Sequence, residues 1–417
     1  MSSEAKARVL ERTSRHLSPA KVALFHALGI DLVIGRREGY RIWDIDGREL
    51  LDLHLNGGTY NLGHRHPEVV GALRSALDDG LDIGNHHFAS EAGSALGAQL
   101  AGLAPFESAR VVFSSGGGEA VDVAIKSARR ATGKRRIISV HGAYHGHTGL
   151  ALAVGHQRFS EPFLSDGEQH RYTRVPFDSL ADLARELDKG DVAAVILETI
   201  PATAGFVMPS EGYLLGVREL CDHADAMYIA DEVQVGLGRT GALWGVQSWG
   251  VKPDVLVTAK GLSGGLYPIA ATLLNPRCGS WLRTDSHGHV STFGGAEIGC
   301  RVASKVLEIT TRPSTVQNVS RTSEMLARGL TAMAERYELL SEVRQRGLVI
   351  GLGFSRNDGG IHVMRALYEQ GIWAIVAGFD YGALQVKPGL LWGEATTRAA
   401  LEGIEKAVDR VQRTLGG

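Results

Sequence analysis

Three features are scarce in this 417-residue sequence: cysteine, net charge and long apolar runs. The three cysteines, Cys221, Cys278 and Cys300, are too few and too scattered for a disulfide framework or a zinc cluster. A balance of 44 Lys and Arg against 46 Asp and Glu gives no electrostatic basis for binding nucleic acid or an anionic membrane. No apolar run approaches the ~20 residues that span a bilayer, and the first residues lack the apolar core of a signal peptide. We therefore expect a soluble, cytoplasmic protein without a nucleic-acid or membrane partner.

Glycine, by contrast, is abundant. The sequence has 53 glycines in 417 residues, or about 13%, against a usual share of roughly 7%. They follow no Gly-X-Y period, and 44% of the residues are hydrophobic, so a collagen-like or disordered chain is excluded. The length predicts one large domain or two, with enough chain to bury a core. The role of the glycines therefore depends on where they lie.

The spacing of apolar residues predicts a protein of the α/β class. From about residue 65 to residue 310, helical segments alternate with short apolar runs. This alternation indicates βαβ units and hence a large, doubly wound sheet that is mostly parallel. The runs expected to form strands are 111–113, 136–140, 193–197, 227–230, 255–258 and 269–274.

Both ends of the chain show other patterns. Residues 1–35 are predicted to be mostly helical, and residues 38–53 alternate apolar and polar side chains around an Asp-Gly turn, which predicts a β-hairpin. The tail returns to a mixture of strands and helices. We therefore predict a smaller α+β domain built from both chain ends around a large α/β domain. The predicted boundaries are 1–54 and 311–417 for the small domain and 55–310 for the large one.

Several predicted strands are followed by residues that can do chemistry, at the carboxyl edge where doubly wound sheets bind ligands. The first such segment, Phe113-Ser-Ser-Gly-Gly-Gly-Glu119, runs from a strand through three glycines into a helix. Backbone N–H groups at such a helix start bind anions. The spacing matches neither the GxGxxG nor the GxxxxGKS/T pattern. An ordinary strand-to-helix turn and a phosphate cradle therefore both fit this segment.

Two further segments place charged residues after an apolar strand. Asp231 and Glu232 follow the run 227–230, where a buried acid needs a cationic partner, although a helix-capping aspartate also fits. Lys260 follows the run 255–258 and enters a glycine-rich loop. Burial would lower the pKa of this lysine and make it a candidate Schiff-base nucleophile, whereas a lysine that extends to the surface has no such role. These segments alone leave both alternatives open.

A fourth segment, 138–148, contains Tyr144 and three histidines, His141, His145 and His147. The histidines invite a metal site, but glycines between them disfavour a helical pair at i and i+4, and no carboxylate or cysteine is close in sequence. We therefore expect no metal. Tyr144 is a better candidate for a functional residue than these histidines, because its side chain can serve as an aromatic platform for the ring of a ligand.

Together these segments suit one cofactor, pyridoxal 5′-phosphate. That molecule needs N–H donors for its phosphate, an aromatic partner for its ring, a carboxylate at its pyridinium nitrogen and an amine at its aldehyde. The glycine-rich cradle, Tyr144, Asp231 and Lys260 supply one group each.

Longer motifs are spread over most of the chain, from Leu51-Asp-Leu53 and Asn61-Leu-Gly-His-Arg-His-Pro67 to Gln385-Val-Lys-Pro-Gly-Leu390. Between them stand, in order, Asp-Glu-Val-Gln, Gly-Arg-Thr-Gly, Ala-Lys-Gly-Leu and Ser-Thr-Phe-Gly-Gly. With these motifs the sequence resembles the class III aminotransferases, which are fold type I pyridoxal-phosphate enzymes.

The resemblance implies a role for each matching residue. Lys260 forms the Schiff base with the cofactor and then carries a proton between the substrate and the cofactor. Asp231 keeps the pyridine nitrogen protonated, which makes the ring an electron sink. Val233 and Tyr144 pack on opposite faces of the ring, and Gln234 bonds the ring hydroxyl.

The phosphate end is implied in the same way. Gly117 and Gly118, with the helix that begins near Glu119, cradle the phosphate, although hydroxyls common in the family at positions 116 and 118 are absent here. Thr292 reaches the phosphate of the neighbouring subunit, which implies a homodimer with shared active sites. Arg239 either braces its loop or touches the substrate.

Two departures from the family bear on the substrate. Members that use 2-oxoglutarate carry a gating glutamate and a carboxylate-binding arginine, and the resemblance puts Thr203 and Gln385 at those positions. Because the glutamate masks the arginine, the loss of both is self-consistent. We therefore predict an amino donor and a carbonyl acceptor outside the glutamate/2-oxoglutarate pair. Residues that border the substrate pocket by resemblance, as substrate contacts or structural groups, are His54, Asn56, Tyr60, Asn85, His86 and His87.

Three functions fit these residues. The first is an aminotransferase that moves an amino group from a donor amine to a ketone or aldehyde by ping-pong half-reactions. The second is a pyridoxal-phosphate racemase, lyase or decarboxylase on the same scaffold, which would share Lys260 and Asp231. The third is a non-catalytic binding protein, and Lys260 argues against it because a pure binder has no need of a desolvated amine.

Overall fold

The computed structural model describes residues 3–165 and 169–415. Over these ranges the chain forms fifteen β-strands and fourteen α-helices. The strands are β1 (Ile34–Glu38), β2 (Arg41–Asp44), β3 (Glu49–Asp52), β4 (Arg110–Ser114), β5 (Arg136–Val140), β6 (Tyr172–Val175), β7 (Val192–Glu198), β8 (Met227–Asp231), β9 (Val255–Thr258), β10 (Ala270–Leu274), β11 (Leu340–Arg346), β12 (Val349–Phe354), β13 (Ile372–Trp373), β14 (Ile375–Val376) and β15 (Ala383–Val386). The helices are α1 (Glu4–His16), α2 (Pro19–Ala27), α3 (Leu55–Gly58), α4 (Pro67–Asp78), α5 (Glu91–Gly102), α6 (Gly117–Thr132), α7 (Gly149–Val154), α8 (Gln157–Ser160), α9 (Leu180–Leu187), α10 (Tyr213–His223), α11 (Glu297–Thr310), α12 (Pro313–Arg336), α13 (Gly359–Glu369) and α14 (Glu394–Leu415).

The centre of the molecule is a seven-stranded sheet with the strand order β4-β10-β9-β8-β7-β5-β6. All neighbouring pairs from β6 to β9 are parallel, whereas β10 runs antiparallel to both β4 and β9. Helices cover both faces: α6 and α7 share one core with the sheet, and α5, α9, α10 and α11 share the other. Every residue of β5, β7 and β8 is buried as a result. The expected doubly wound, mostly parallel sheet is confirmed.

Both chain ends contribute to a smaller, largely antiparallel part. One four-stranded sheet has the order β1-β2-β3-β13, and another has the order β11-β12-β15-β14. The predicted hairpin is the antiparallel pair β2 and β3, and β13 from the tail adds to it in parallel. Side chains from both ends share one core, such as Leu50 with Leu352 and Ile404. The predicted fold class is therefore confirmed, while the exact boundaries at 54/55 and 310/311 stay predictions.

The sheet topology brings the candidate residues to one edge. β7, β8 and β9 are neighbours and parallel, so their carboxyl ends lie side by side. Glu198 and Asp231 are paired in register at the ends of β7 and β8, and Lys260 follows β9. Among the helices of the described ranges, none has the length and apolar character needed to cross a membrane.

Candidate active site

A cavity of about 310 Å³ opens at this carboxyl edge. Seven of the eight residues predicted for the site line it: Gly117, Gly118, Tyr144, Asp231, Val233, Gln234 and Lys260. The eighth, Thr292, is exposed and lies outside the lining of this cavity. The fold therefore gathers these seven residues from four separate segments of the chain around one space, although their roles toward a ligand stay predictions.

Lys260 follows β9 directly and adopts a φ of +40°, in the left-handed region that non-glycine residues rarely enter. The chain at Gly57 passes so close that a Cβ atom there would lie 3.1 Å from Lys260 Cε, and Gly57 itself has a φ of +71°. Burial lowers the pKa of the Lys260 amine, although the charges of Asp231 and Glu198 act in the opposite direction. A lowered pKa leaves more of the amine unprotonated, which is the form that attacks a carbonyl carbon.

Asp231 is fixed by two hydrogen bonds. Its Oδ2 lies 2.8 Å from Nδ1 of His145, and its Oδ1 accepts a bond of 3.1 Å from the Val233 N–H. Both side chains are buried, so the imidazole provides the cationic or donor partner that a buried carboxylate needs. Within residues 3–165 and 169–415, no group of three or more His, Cys, Asp or Glu side chains is arranged to hold a metal ion. His145 therefore serves Asp231, which its position in a histidine-rich segment did not reveal.

The glycine triplet forms the start of α6, which begins at Gly117. The first N–H groups of a helix have no partner inside it and create an anion site with the helix dipole. A Cβ atom at Gly118 would lie 2.7 Å from Thr148 Oγ1, and one at Gly146 would lie 2.7 Å from Gly118 Cα. The Thr148 hydroxyl thus occupies the space that a side chain at position 118 would need. Glycine at 118 is a packing requirement in this chain.

The middle of the cavity suits a flat ring. Tyr144 is held edge-on by Phe159, with ring centroids 5.6 Å apart at 87°. Val233 lines the cavity close to the helix start, since its methyl carbons are 3.5 Å from a Cβ position at Gly117. Gln234 Oε1 is buried and has no hydrogen-bond partner among the described residues, so it is available to a ligand. An anion cradle, two apolar walls, a free acceptor, a buried carboxylate and an amine together fit pyridoxal 5′-phosphate.

Glu198 also lines the cavity, and the sequence interpretation did not single it out. Its Oε1 accepts a bond of 3.0 Å from the Tyr144 N–H, and its Oε2 accepts one of 3.2 Å from the Ala202 N–H. Burial raises the pKa of this carboxyl to about 7. The signal that could have identified it is its position at the end of the strand next to β8, level with Asp231.

Glu232 and Arg239 have structural roles. Both Glu232 oxygens accept backbone N–H bonds from Gly245 and Val246, at 2.7 and 2.9 Å. Arg239 is fully buried and donates to the carbonyl oxygens of Leu348 and Pro388 and to the Asn61 side chain. Of the two alternatives for Arg239, bracing of its loop is the one that these contacts support.

Thr203 and Gln385, the two positions at which the resemblance predicts the loss of a gate, are neighbours in space. Gln385 Nε2 donates to the carbonyl of Ala202, at 2.8 Å, and Thr203 Oγ1 donates to the carbonyl of Gly142, also at 2.8 Å. Both side chains are thus engaged by backbone oxygens. Neither provides a positive charge for a carboxylate.

Lys387 is a further buried lysine, close to the site, that the sequence interpretation did not single out. It is completely inaccessible, and its Nζ contacts Gln385 Oε1, His54 Nδ1 at 3.3 Å and the Phe206 ring at 5.1 Å. None of the described carboxylates forms an ion pair with it. Burial, with the charges of Arg239 and Lys260, lowers the pKa of Lys387 well below its usual value.

Lys387→Met is therefore expected to gain stability relative to the natural protein as the pH falls. The unfolded chain holds the lysine proton below pH 10.5, whereas the folded chain releases it, so folding is opposed more strongly at each lower pH until the lowered pKa is reached. Urea unfolding at several pH values measures this effect. For each unit by which the pH is lowered, the free energy of unfolding of the variant should rise relative to that of the natural protein by up to about 1.4 kcal/mol. The exposed Lys252, as Lys252→Met, is the control. A difference independent of pH would contradict this prediction.

The histidines expected near the substrate lie around other spaces. His54, Asn56 and Tyr60 line a second cavity of about 710 Å³ between the N-terminal helices and Trp373. Asn85 and His86 line a third space beside Phe113 and Gly294. His64 in the second cavity binds Asp52 Oδ2 at 2.9 Å and stacks on Tyr60, which is typical of a structural histidine.

Comparisons with known proteins agree with this geometry. The model of the family described as "Aminotransferase class-III" matches residues 26–408. An uncharacterized aminotransferase of Archaeoglobus fulgidus is 47% identical over 99% of this chain and 94% of its own. Acetylornithine aminotransferase of Pseudomonas putida is 34% identical over 89% of this chain and 91% of its own.

A solved structure extends the likeness to three dimensions. The crystal structure of N-acetylornithine aminotransferase from Stenotrophomonas maltophilia is 30% identical, superimposes with a TM-score of 0.80, and is matched over 94% of this chain and 100% of that one. The sequence resemblance, the aminotransferase activity that it implied and the fold are thus confirmed together. This chain belongs to the class III aminotransferase family.

Proposed function

We propose that this aminotransferase holds pyridoxal 5′-phosphate in the 310 Å³ cavity and moves an amino group from a donor amine or amino acid to a ketone or aldehyde by ping-pong half-reactions. The observation that carries the proposal is the placement of Lys260, whose pKa is lowered by burial, in one cavity with the Asp231–His145 pair. A racemase, lyase or decarboxylase is not favoured, because the relatives are named aminotransferases.

When bound, the cofactor accepts the amino group from one substrate, delivers it to the next and withdraws electrons from the carbon that loses its proton. The residues of this chain prepare that chemistry. Lys260 Nζ would hold the cofactor through its aldehyde group and would hold or release a proton beside the reacting carbon. The Asp231 carboxylate, oriented by His145, would keep a proton on the ring nitrogen. The N–H groups at the start of α6 would hold the phosphate.

A second copy of the chain completes the site in this proposal. Thr292 is exposed, and two apolar residues close to it in sequence are also exposed: Phe293 is 52% and Val290 is 53% exposed. Phe88, which is 81% exposed, borders a groove that Gly294 also lines. A homodimer would cover these side chains and bring Thr292 to the partner's phosphate. The three cysteines are buried free thiols, which fits the cytoplasm as the compartment.

The substrate preference follows from Thr203 and Gln385. A dicarboxylate acceptor needs a positively charged partner in the site, and these two neutral side chains are already bonded to backbone carbonyls. We therefore propose that 2-oxoglutarate is a poor acceptor and that another carbonyl compound takes the amino group.

A matrix of donors and acceptors tests the proposed function. Donors, including N-acetylornithine and simple amines, are first mixed with the loaded enzyme without an acceptor, and the absorbance change that marks amination of the cofactor is recorded. A second step adds pyruvate, 2-oxoglutarate or an aldehyde. We expect a donor-dependent change that the accepted carbonyl compound reverses, with 2-oxoglutarate at least about tenfold slower than the best acceptor. Efficient use of 2-oxoglutarate would overturn the proposed preference. Substrate turnover with an unchanged spectrum would instead favour the racemase, lyase or decarboxylase alternative.

A further inference from the structure

Glu198 and Asp231 are two carboxylates that end neighbouring parallel strands in register. Both line the cavity, and they are only 5% and 4% exposed. Asp231 has the imidazole of His145 within 2.8 Å, whereas Glu198 accepts only the two backbone N–H bonds from Tyr144 and Ala202. Over the described residues, no lysine or arginine forms an ion pair with Glu198.

Two buried carboxylates in one site do not ionise independently. The first ionised group makes the second more costly to ionise, so their surroundings decide which of them keeps a proton. Asp231 has the better partner for a negative charge. Glu198 has the weaker one, and burial raises its pKa to about 7, with the His145 charge opposing this rise and the Asp231 charge adding to it.

We propose that Glu198 is a positioning residue that holds a proton in the resting site, so that Asp231 is the single ionised carboxylate beside Lys260. This inference deepens the proposed function and rests on it, because it concerns the same cavity. Glu198 acts through the charge that it adds to the cavity or withholds from it.

The groups that respond are those that face Glu198 from each neighbouring element. Tyr144 and His145 come from the segment after β5, Asp231 from β8 and Lys260 from the segment after β9. When Glu198 loses its proton, the new negative charge raises the pKa of Lys260 and of Tyr144. A protonated Glu198 therefore keeps the Lys260 amine easier to deprotonate, and this benefit is lost as the pH rises through about 7.

The first test needs neither substrate nor cofactor. Infrared difference spectra of the full-length, cofactor-free protein between about pH 5.5 and pH 8.5 are expected to contain the C=O band of a protonated carboxylic acid that disappears with a midpoint near pH 7. Glu198→Gln should remove this band. Glu232 is also buried, and its pKa is also raised by burial, so Glu232→Gln serves to separate its band from that of Glu198.

The second test measures the pH dependence of cofactor uptake by the same proteins. The rate of cofactor uptake is expected to rise with pH as the Lys260 amine loses its proton. In Glu198→Gln this rise should occur about 0.5–1 pH unit lower, because no negative charge forms near Lys260. Ser139→Ala is the matched control. It removes the buried 2.6 Å bond from Ser139 Oγ to the Val154 carbonyl, on the strand that leads to Tyr144, and it changes no titratable group. We expect Ser139→Ala to leave the acid band and the pH dependence of cofactor uptake as they are in the natural protein.

Each outcome decides the inference. The absence of a titrating carboxylic-acid band in the natural protein overturns it without any variant, so a Glu198→Gln protein that fails to fold does not leave the question open. A band that survives in folded Glu198→Gln, or an equal shift in the pH dependence of cofactor uptake in Ser139→Ala, would give Glu198 a purely structural role and also overturns the inference. A correct band in a protein without aminotransferase activity would count against the proposed function alone.

Discussion

Lys260→Ala is expected to lower the rate of amino transfer by at least roughly 10⁴-fold, the largest effect of any substitution in this chain. The variant loses the amine that bonds the cofactor and the group that moves the proton, and no other lysine lines the cavity in the part of the chain that the structure describes. Lys387 is close to the site but is enclosed by Gln385, His54 and Phe206, so its amine cannot replace that of Lys260. Single-turnover absorbance measurements with the best donor would give the rate.

Two controls separate chemistry from folding in this experiment. Lys252→Ala replaces an exposed lysine that lies just before β9, the strand that leads to Lys260. This variant should keep the rate of the natural protein. A small primary amine added to Lys260→Ala should restore part of the rate, because it can enter the vacated space and move the proton in place of Nζ. Borohydride reduction of the natural protein with bound cofactor should label Lys260, as detected by mass spectrometry. Label on another lysine, or a Lys260→Ala protein as active as Lys252→Ala, would refute this assignment.

The buried strands of the large sheet and β4 at one of its edges were predictable from the sequence, whereas β6 at the other edge was not. β5 and β9 coincide with the predicted runs 136–140 and 255–258, because strands covered on both faces are continuously apolar. β6 and β11 escaped prediction, since both contain charged or polar side chains at alternating or neighbouring positions and lie at sheet edges. The antiparallel direction of β10 was also not predictable, because strand direction leaves no trace in local periodicity.

The residues of the candidate site also fall into two groups, those that the sequence predicted and those that it did not. Asp231 and Lys260 were found because each follows an apolar strand, and parallel neighbours bring such positions together. The partnership of His145 with Asp231 and the enclosure of Lys387 depend on contacts between residues 86 positions apart or more than 300 positions apart. Local sequence carries no record of such contacts. The side chains that tune the site are therefore harder to predict than those that perform its chemistry.

Asp231→Asn is expected to lower the rate of amino transfer by roughly 10²- to 10³-fold. A group that stabilises charge in a transition state lowers the barrier by about 2.7–4 kcal/mol, and each 1.36 kcal/mol is a factor of ten in rate. Here the lost carboxylate is the partner of the ring nitrogen, so the ring would withdraw electrons less strongly and the cofactor would also bind less tightly. The asparagine oxygen can still accept the 3.1 Å bond from the Val233 N–H, which keeps the loop in place. Single-turnover rates at saturating cofactor would isolate the effect on chemistry.

Asp254→Asn is the matched control for Asp231→Asn, because Asp254 binds Arg218 and the Tyr228 N–H at the amino ends of β8 and β9, whereas Asp231 lies at the carboxyl end of β8. It is expected to lower stability and leave the single-turnover rate unchanged. His145→Asn should fall between the two, since Asp231 keeps its charge and loses only the 2.8 Å contact that orients it. Equal rates for Asp231→Asn and Asp254→Asn would mean that the carboxylate contributes packing alone. A His145→Asn protein as slow as Asp231→Asn would instead show that the orientation of the carboxylate matters as much as its charge, which would make the Asp231–His145 pair a single functional unit.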